Sequence, residues 1–147
     1  MKLIKKFILI ILIGLNYCIT ASAADNLFEQ AKKKFEKKDY EKSKFLFQRN
    51  IVYNPKNAES YLYLAKIFKT EENQEEEEKN LDTTLLLEPN NEEAIYMLIN
   101  IQLDRSNFNK ANTLMDRFTS VCKKMCNKKK EISKSLQDFE ANNEKTN

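Results

Sequence analysis

The sequence predicts an all-α protein: a right-handed α-solenoid of about three helical hairpins, closed by a C-terminal capping helix. Three observations predict it. Asn54-Pro55-Lys56-Asn57-Ala58 recurs as Glu88-Pro89-Asn90-Asn91-Glu92 after 34 residues, and these hold the only 2 prolines of the 147-residue chain. A period of about 34 residues marks a repeat of two helices and a turn. The single glycine is Gly14, so the chain beyond it is rich in Lys, Glu, Leu and Asn with no glycine at all. That composition favours helix and disfavours turn-rich β folds. Between the prolines, apolar residues recur at helical spacing.

The first element is an address. Lys2, Lys5 and Lys6 precede an apolar core, Phe7 to Leu15, and Ala21-Ser22-Ala23 supplies a small-x-small cleavage pattern. Residues 1–23 therefore read as a cleavable signal peptide, with a retained anchor as the alternative. The apolar run is shorter than the roughly 18 residues a spanning helix needs. Lipidation at Cys18 is disfavoured by bulky Tyr17 before it. The expected location is outside the cytoplasm, a bacterial periplasm first and eukaryotic secretion second.

Seven helices follow. The first, about Asn26 to Lys37, carries Leu27, Phe28, Ala31 and Phe35 at helical spacing. The second, Tyr40 to Tyr53, adds Phe45, Leu46, Ile51 and Val52. Pro55 biases Asn54 away from helical geometry and ends it. Asn57 can cap the third helix, whose stripe is Tyr61, Leu64, Ala65 and Phe68. Pro89 ends the fourth helix as Pro55 ends the second. Asn90 or Asn91 can cap the fifth, which runs through Ile95, Leu98, Ile99 and Leu103. Asn73 and Asn107 sit at turns within hairpins, where Asn tolerates left-handed geometry. The repeats are 24–57, 58–91 and 92–120. A seventh helix, about 128–141, presents Ile132, Leu136 and Phe139 as a cap over the last hairpin; a partner-binding helix is the alternative. Residues 142–147 read as a disordered tail.

Composition excludes several functions. The chain has 25 basic and 22 acidic residues, and three of the lysines lie in the signal segment, so the remainder is formally neutral. Net charge supports neither nucleic-acid binding nor attraction to an anionic membrane. Without glycine there is no phosphate loop or dinucleotide fingerprint. The chain has no His, which removes Ser-His and Cys-His dyads and the commonest general base. No cofactor or metal is expected, since two cysteines without His make a poor zinc set. Cys122 and Cys126 stand about one helical turn apart, near the upper limit for a disulfide. A structural disulfide at a bend is the first reading, two free thiols the second, and a thiol redox enzyme the third. Glu71-Glu72 and Glu75 to Glu78 complement a helix N-terminus; docking of a basic partner or weak divalent binding is the alternative.

Aligned on the prolines, Asp39-Tyr40-Glu41-Lys42-Ser43 falls on Asn73-Gln74-Glu75-Glu76-Glu77 and on Asn107-Phe108-Asn109-Lys110-Ala111. Ala31, Ala65 and Ile99 share one register, as do Phe47, Leu81 and Met115. Over about two-thirds of the chain this resembles the tetratricopeptide-repeat family. Ser43, Ala31, Ala65 and Ala111 match its small-residue positions; Ile99 and Glu77 depart from them. Ile99 implies a wider contact in the third hairpin.

The resemblance implies a non-catalytic protein-binding module. Its inner groove would be lined by the first helix of each hairpin, through Phe28, Lys32, Leu62, Tyr63, Lys66, Tyr96, Met97 and Asn100. The alternative is that half of these positions face the core, with Lys32 and Lys66 merely solvated. Tyr and Met suit interfaces, and the lysines could hold carboxylates of a partner segment. One subfamily grips C-terminal carboxylates with Lys, Asn, Asn, Lys and Arg. Phe28, Lys32, Tyr63, Glu93 and Met97 stand there instead, so that clamp is not expected. Tyr63→Ala with Tyr96→Ala is expected to weaken binding without unfolding the chain. Self-association through an exposed solenoid end is a further possibility.

Overall fold

The computed structural model describes residues 26–144. Residues 1–25, which include the predicted signal peptide, and residues 145–147 lie outside the described residues. Seven helices stand among those described: α1 (26–36), α2 (Tyr40–Tyr53), α3 (Ala58–Thr70), α4 (Gln74–Leu87), α5 (Glu92–Asp104), α6 (Phe108–Val121) and α7 (Lys128–Glu144). No strand occurs among them. Successive helices from α2 to α6 pack in sequence order, and α7 rests on α5 and α6.

Asparagine starts four of the helices. Asn57, Asn73, Asn91 and Asn107 each accept from the backbone N–H three residues on, at 2.8, 3.2, 3.0 and 3.4 Å. Each bond satisfies one of the donors that a helix N-terminus leaves free. Asn73 and Asn107 are therefore not left-handed, with φ of −92° and −93°. The left-handed residues lie one position earlier, at Lys38, Glu72 and Ser106, with φ of 58°, 56° and 55°. There the chain closes each first helix with a 6→1 bond, such as Asp39 N–H to Lys34 O at 2.9 Å and Asn107 N–H to Gln102 O at 2.8 Å. This is the Schellman geometry that normally favours glycine.

The small-residue register holds the hairpins closed. Ser43 and Ala31 are fully buried, and the Ser43 hydroxyl donates to the Ala31 carbonyl at 2.9 Å. The corresponding Ala111 is fully buried as well, and so is Ile99. Glu77 occupies that register in the second hairpin. It is 5% exposed, and its Oε1 has no hydrogen-bond partner. Burial pushes its carboxyl above the ordinary value, and Lys69 only partly offsets this.

Two apolar clusters form the core. Phe28, Ala31, Phe47, Leu64 and Ile67 unite α1, α2 and α3. A larger one runs from Leu62 and Leu81 through Ile95, Leu98 and Phe118 to Ile132 and Leu136 of α7. Each fully buried large side chain stabilises the fold by about 1.5–3 kcal/mol. Ile132 and Leu136 thus make α7 a docked cap; the Phe139 side chain lies outside the described residues. The helix runs three residues past its predicted end, so 142–144 are helical rather than tail. The apolar surface that Phe45 and Val52 add to α2 is 58% and 78% exposed.

Candidate binding groove

Three aromatic–lysine pairs mark the inner helices. The Lys32 ammonium lies 5.5 Å from the Phe28 ring centre on α1, and Lys66 lies 4.8 Å from Tyr63 on α3. Lys128 of α7 lies 5.3 Å from Tyr96 of α5. Such contacts order a long side chain over an apolar surface while keeping its charge available. Lys66 is also paired with Glu93 at 2.8 Å, and Lys128 with Glu131 at 2.8 Å.

A cleft of about 440 Å³ opens between these helices. Phe35 enters it from α1, Lys66, Lys69 and Thr70 from α3, and Glu93, Tyr96 and Met97 from α5. Met125 closes it from the loop after α6. Its surface is mostly apolar, with two lysines and one glutamate at the margin. Such a lining suits an apolar side chain flanked by charge.

Of the eight residues predicted for the groove, Lys66, Tyr96 and Met97 line this cleft. Phe28, Leu62 and Met97 are only 8%, 6% and 5% exposed, so the first two serve the core and Met97 offers an edge. Tyr63 is a packing hub: its ring centre lies 4.9 Å from Phe47, 5.1 Å from Phe35 and 6.2 Å from Phe28. Truncating it is therefore expected to disturb the fold, unlike the outcome expected from the sequence for the Tyr63→Ala variant. Burial raises the Tyr63 phenol above its usual range, with Lys32 opposing and nearby acids reinforcing. Lys32 lies beyond the cleft, over Phe28. Asn100 lines a separate hollow with Leu103, Phe108, Ser135 and Asp138, because α7 stacks beside α5. The Tyr96 hydroxyl donates to Glu131 at 2.7 Å across the same contact.

Five cleft residues, Phe35, Lys69, Thr70, Glu93 and Met125, lie outside the set expected from the sequence. Lys69 and Thr70 end α3, where the inner face reaches the cleft mouth. Met125 lies in a loop with no periodicity to betray it. That loop is shaped by Cys122 and Cys126, which are joined by a disulfide with Cα atoms 5.3 Å apart. Between them, the N–H groups of Lys123, Lys124 and Met125 all donate to the Glu92 carboxylate, at 2.7, 3.0 and 3.1 Å. Partial burial disfavours the Glu92 charge, but these three amides and Lys124 outweigh it and hold its carboxyl below the ordinary value.

Three residues of the acidic block form ion pairs with neighbouring helices or within their own. Glu71 pairs with Lys44, Glu76 with Lys79, and Glu78 with Arg105 and Lys110. No group of three or more potential metal ligands occurs among the described residues. No described helix is long and apolar enough to cross a membrane.

No family model and no curated protein matches the chain. Solved structures do. The Arabidopsis OM64 TPR domain superposes with a TM-score of 0.71 at 18% identity, covering 81% of this chain and 98% of that one. This chain has the tetratricopeptide-repeat fold. The Yersinia enterocolitica type III secretion chaperone SycD, in complex with a peptide of the translocator YopD, gives 0.71 at 11% identity, over 83% and 95% of the two chains. The first TPR of Spaghetti (RPAP3), bound to the HSP90 peptide SRMEEVD, gives 0.66 at 15% identity, over 78% and 93%. The TPR fold accounts for the repeat register: positions 50, 84 and 118, separated by the repeat period, hold Asn50, Thr84 and Phe118, all buried. The Ser60 hydroxyl bonds Asn50 at 2.8 Å, tying the first TPR hairpin to the second.

Proposed function

We propose that this TPR domain is a non-catalytic protein-binding module that takes a segment of another protein in the α1–α3–α5 cleft. The observation that carries the reading is the cleft itself. Phe35, Tyr96 and Met125 present apolar surface, and the exposed Lys69 stands at the mouth. Two structural neighbours hold peptides, which supports the same use of the fold here. A partner segment with an apolar anchor and an adjacent carboxylate fits this lining best. The N-terminal lysines, apolar core and Ala21-Ser22-Ala23 pattern support export to a cell envelope, so the partner is sought among envelope proteins.

Affinity capture tests the reading. The full chain is compared with a Lys69→Glu/Thr70→Arg variant, which alters two exposed residues at the cleft mouth. A partner held by the first and lost from the second supports the groove. Equal capture by both contradicts it.

A further inference from the structure

We propose that the Cys122–Cys126 disulfide is a redox latch on one wall of the groove, an inference that rests on reading the groove as the binding site. The loop it closes is held from three sides. Cys122 caps the C-terminus of α6, its N–H donating to Phe118 O at 2.9 Å. Cys126 stands before α7, its carbonyl accepting from Lys129 N–H at 3.2 Å. Between them, three consecutive amides converge on one carboxylate, that of Glu92 in the first turn of α5. Three successive N–H groups aim at one point only when the backbone curls, and the cross-link fixes that curl. The grip seats Met125 against the C-terminal core and in the cleft wall, with Tyr96 and Met97.

The latch is open to reagents. Cys126 is exposed and Cys122 half-buried. A dithiol supplies the two electrons. Its thiolate attacks Cys126 Sγ, the S–S bond breaks, and Cys122 leaves as a thiolate that takes up a proton. The second thiol of the reductant then displaces the Cys126 sulfur, which is also protonated, and the reductant leaves as a disulfide. The freed loop exchanges Glu92 for water, and Met125 leaves the wall. Ile132 and Leu136, 1% and 7% exposed, keep α7 docked, so the change is confined to the loop and the cleft it borders.

Two readouts on the full chain test this without a partner, so failure of the latch and failure of the groove reading are distinguishable. Methionine methyl groups are labelled for NMR, and amide exchange is followed in the oxidised protein and after dithiothreitol. With two thiols confirmed by mass, the amides of 123–125 are expected to exchange at least about tenfold faster. The Met125 methyl moves to the position of a solvated methionine, and Met115 on α6 stays. Glu92→Gln, with the disulfide intact, is expected to speed the same three amides. An unmoved Met125 in the dithiol protein overturns the proposal. So does unchanged exchange in Glu92→Gln, or a collapse of Met115 and α7 along with the loop, which would make the disulfide a staple of the whole fold.

Discussion

Tyr63 of α3 stacks on Phe47 of α2 with ring centres 4.9 Å apart and planes 12° apart. Edge contacts with Phe35 and Phe28 complete a cluster that joins the first hairpin to the second. One ring thus serves three helices. Tyr63→Ala is expected to destabilise the domain by about 2–3 kcal/mol, the loss of a large, partly buried ring together with its aromatic pairs. Tyr63→Phe keeps the ring and is expected to fall within about 0.5 kcal/mol of the parent. Urea denaturation of both variants checks the contrast.

Glu77 occupies a position that is Ser43 in the first hairpin and Ala111 in the third. Its Oε1 is buried without a partner. Glu77→Ser removes that group and places a hydroxyl where Ser43 has one. The variant is expected to gain about 1 kcal/mol by relieving an unsatisfied polar atom. The pH dependence has a definite sign. Because burial raises the folded-state pKa of Glu77, the folded protein holds its proton more tightly than the unfolded chain. Stability therefore falls as pH rises from the ordinary glutamate value through the raised one. Glu92 acts oppositely: its lowered pKa contributes stability above the ordinary value that is lost on acidification. Thermal melts from pH 3 to 8 are expected to show the high-pH loss shrink in Glu77→Ser, leaving the share of Asp82, whose carboxyl burial also raises, and the low-pH loss shrink in Glu92→Gln.

Lys38, Glu72 and Ser106 adopt positive φ in the same turn of each hairpin. A side chain with a Cβ pays a steric penalty there that glycine avoids. Glycine at each position is expected to stabilise by about 0.5–1 kcal/mol, after its greater unfolded-state freedom is subtracted. The three substitutions lie in separate turns and are expected to add. A denaturation series of single and triple variants measures this.

The architecture was legible because its cause is periodic. Pro55 and Pro89 mark the helix ends, and Asn57 and Asn91 cap the helices that follow. The register of Ala31, Ala65, Phe47 and Leu81 fixes which faces are buried. The site was legible only in part, because it depends on depth within a face. Phe28 and Leu62 share a face with Lys66, yet the stacking of neighbouring hairpins takes them into the core. Tyr96 and Asn100 lie beside α7, whose course no repeat pattern specifies. The left-handed turn was placed one residue late, because Asn caps a helix as readily as it adopts positive φ. Met125 and Lys69 belong to the cleft through tertiary approach, which spacing along the chain does not encode.

If the cleft between α1, α3 and α5 receives a partner, a probe at its mouth meets that partner and a probe on α2 does not. A photo-crosslinking residue at Thr70, on the cleft mouth, is compared with one at Val52, 78% exposed on the opposite, outer helix of its hairpin. Both are introduced singly into the full chain, which is then irradiated in an extract of the source cell. A discrete adduct is expected from position 70 and none from position 52. An adduct from position 52 alone, or equal adducts from both, would contradict it.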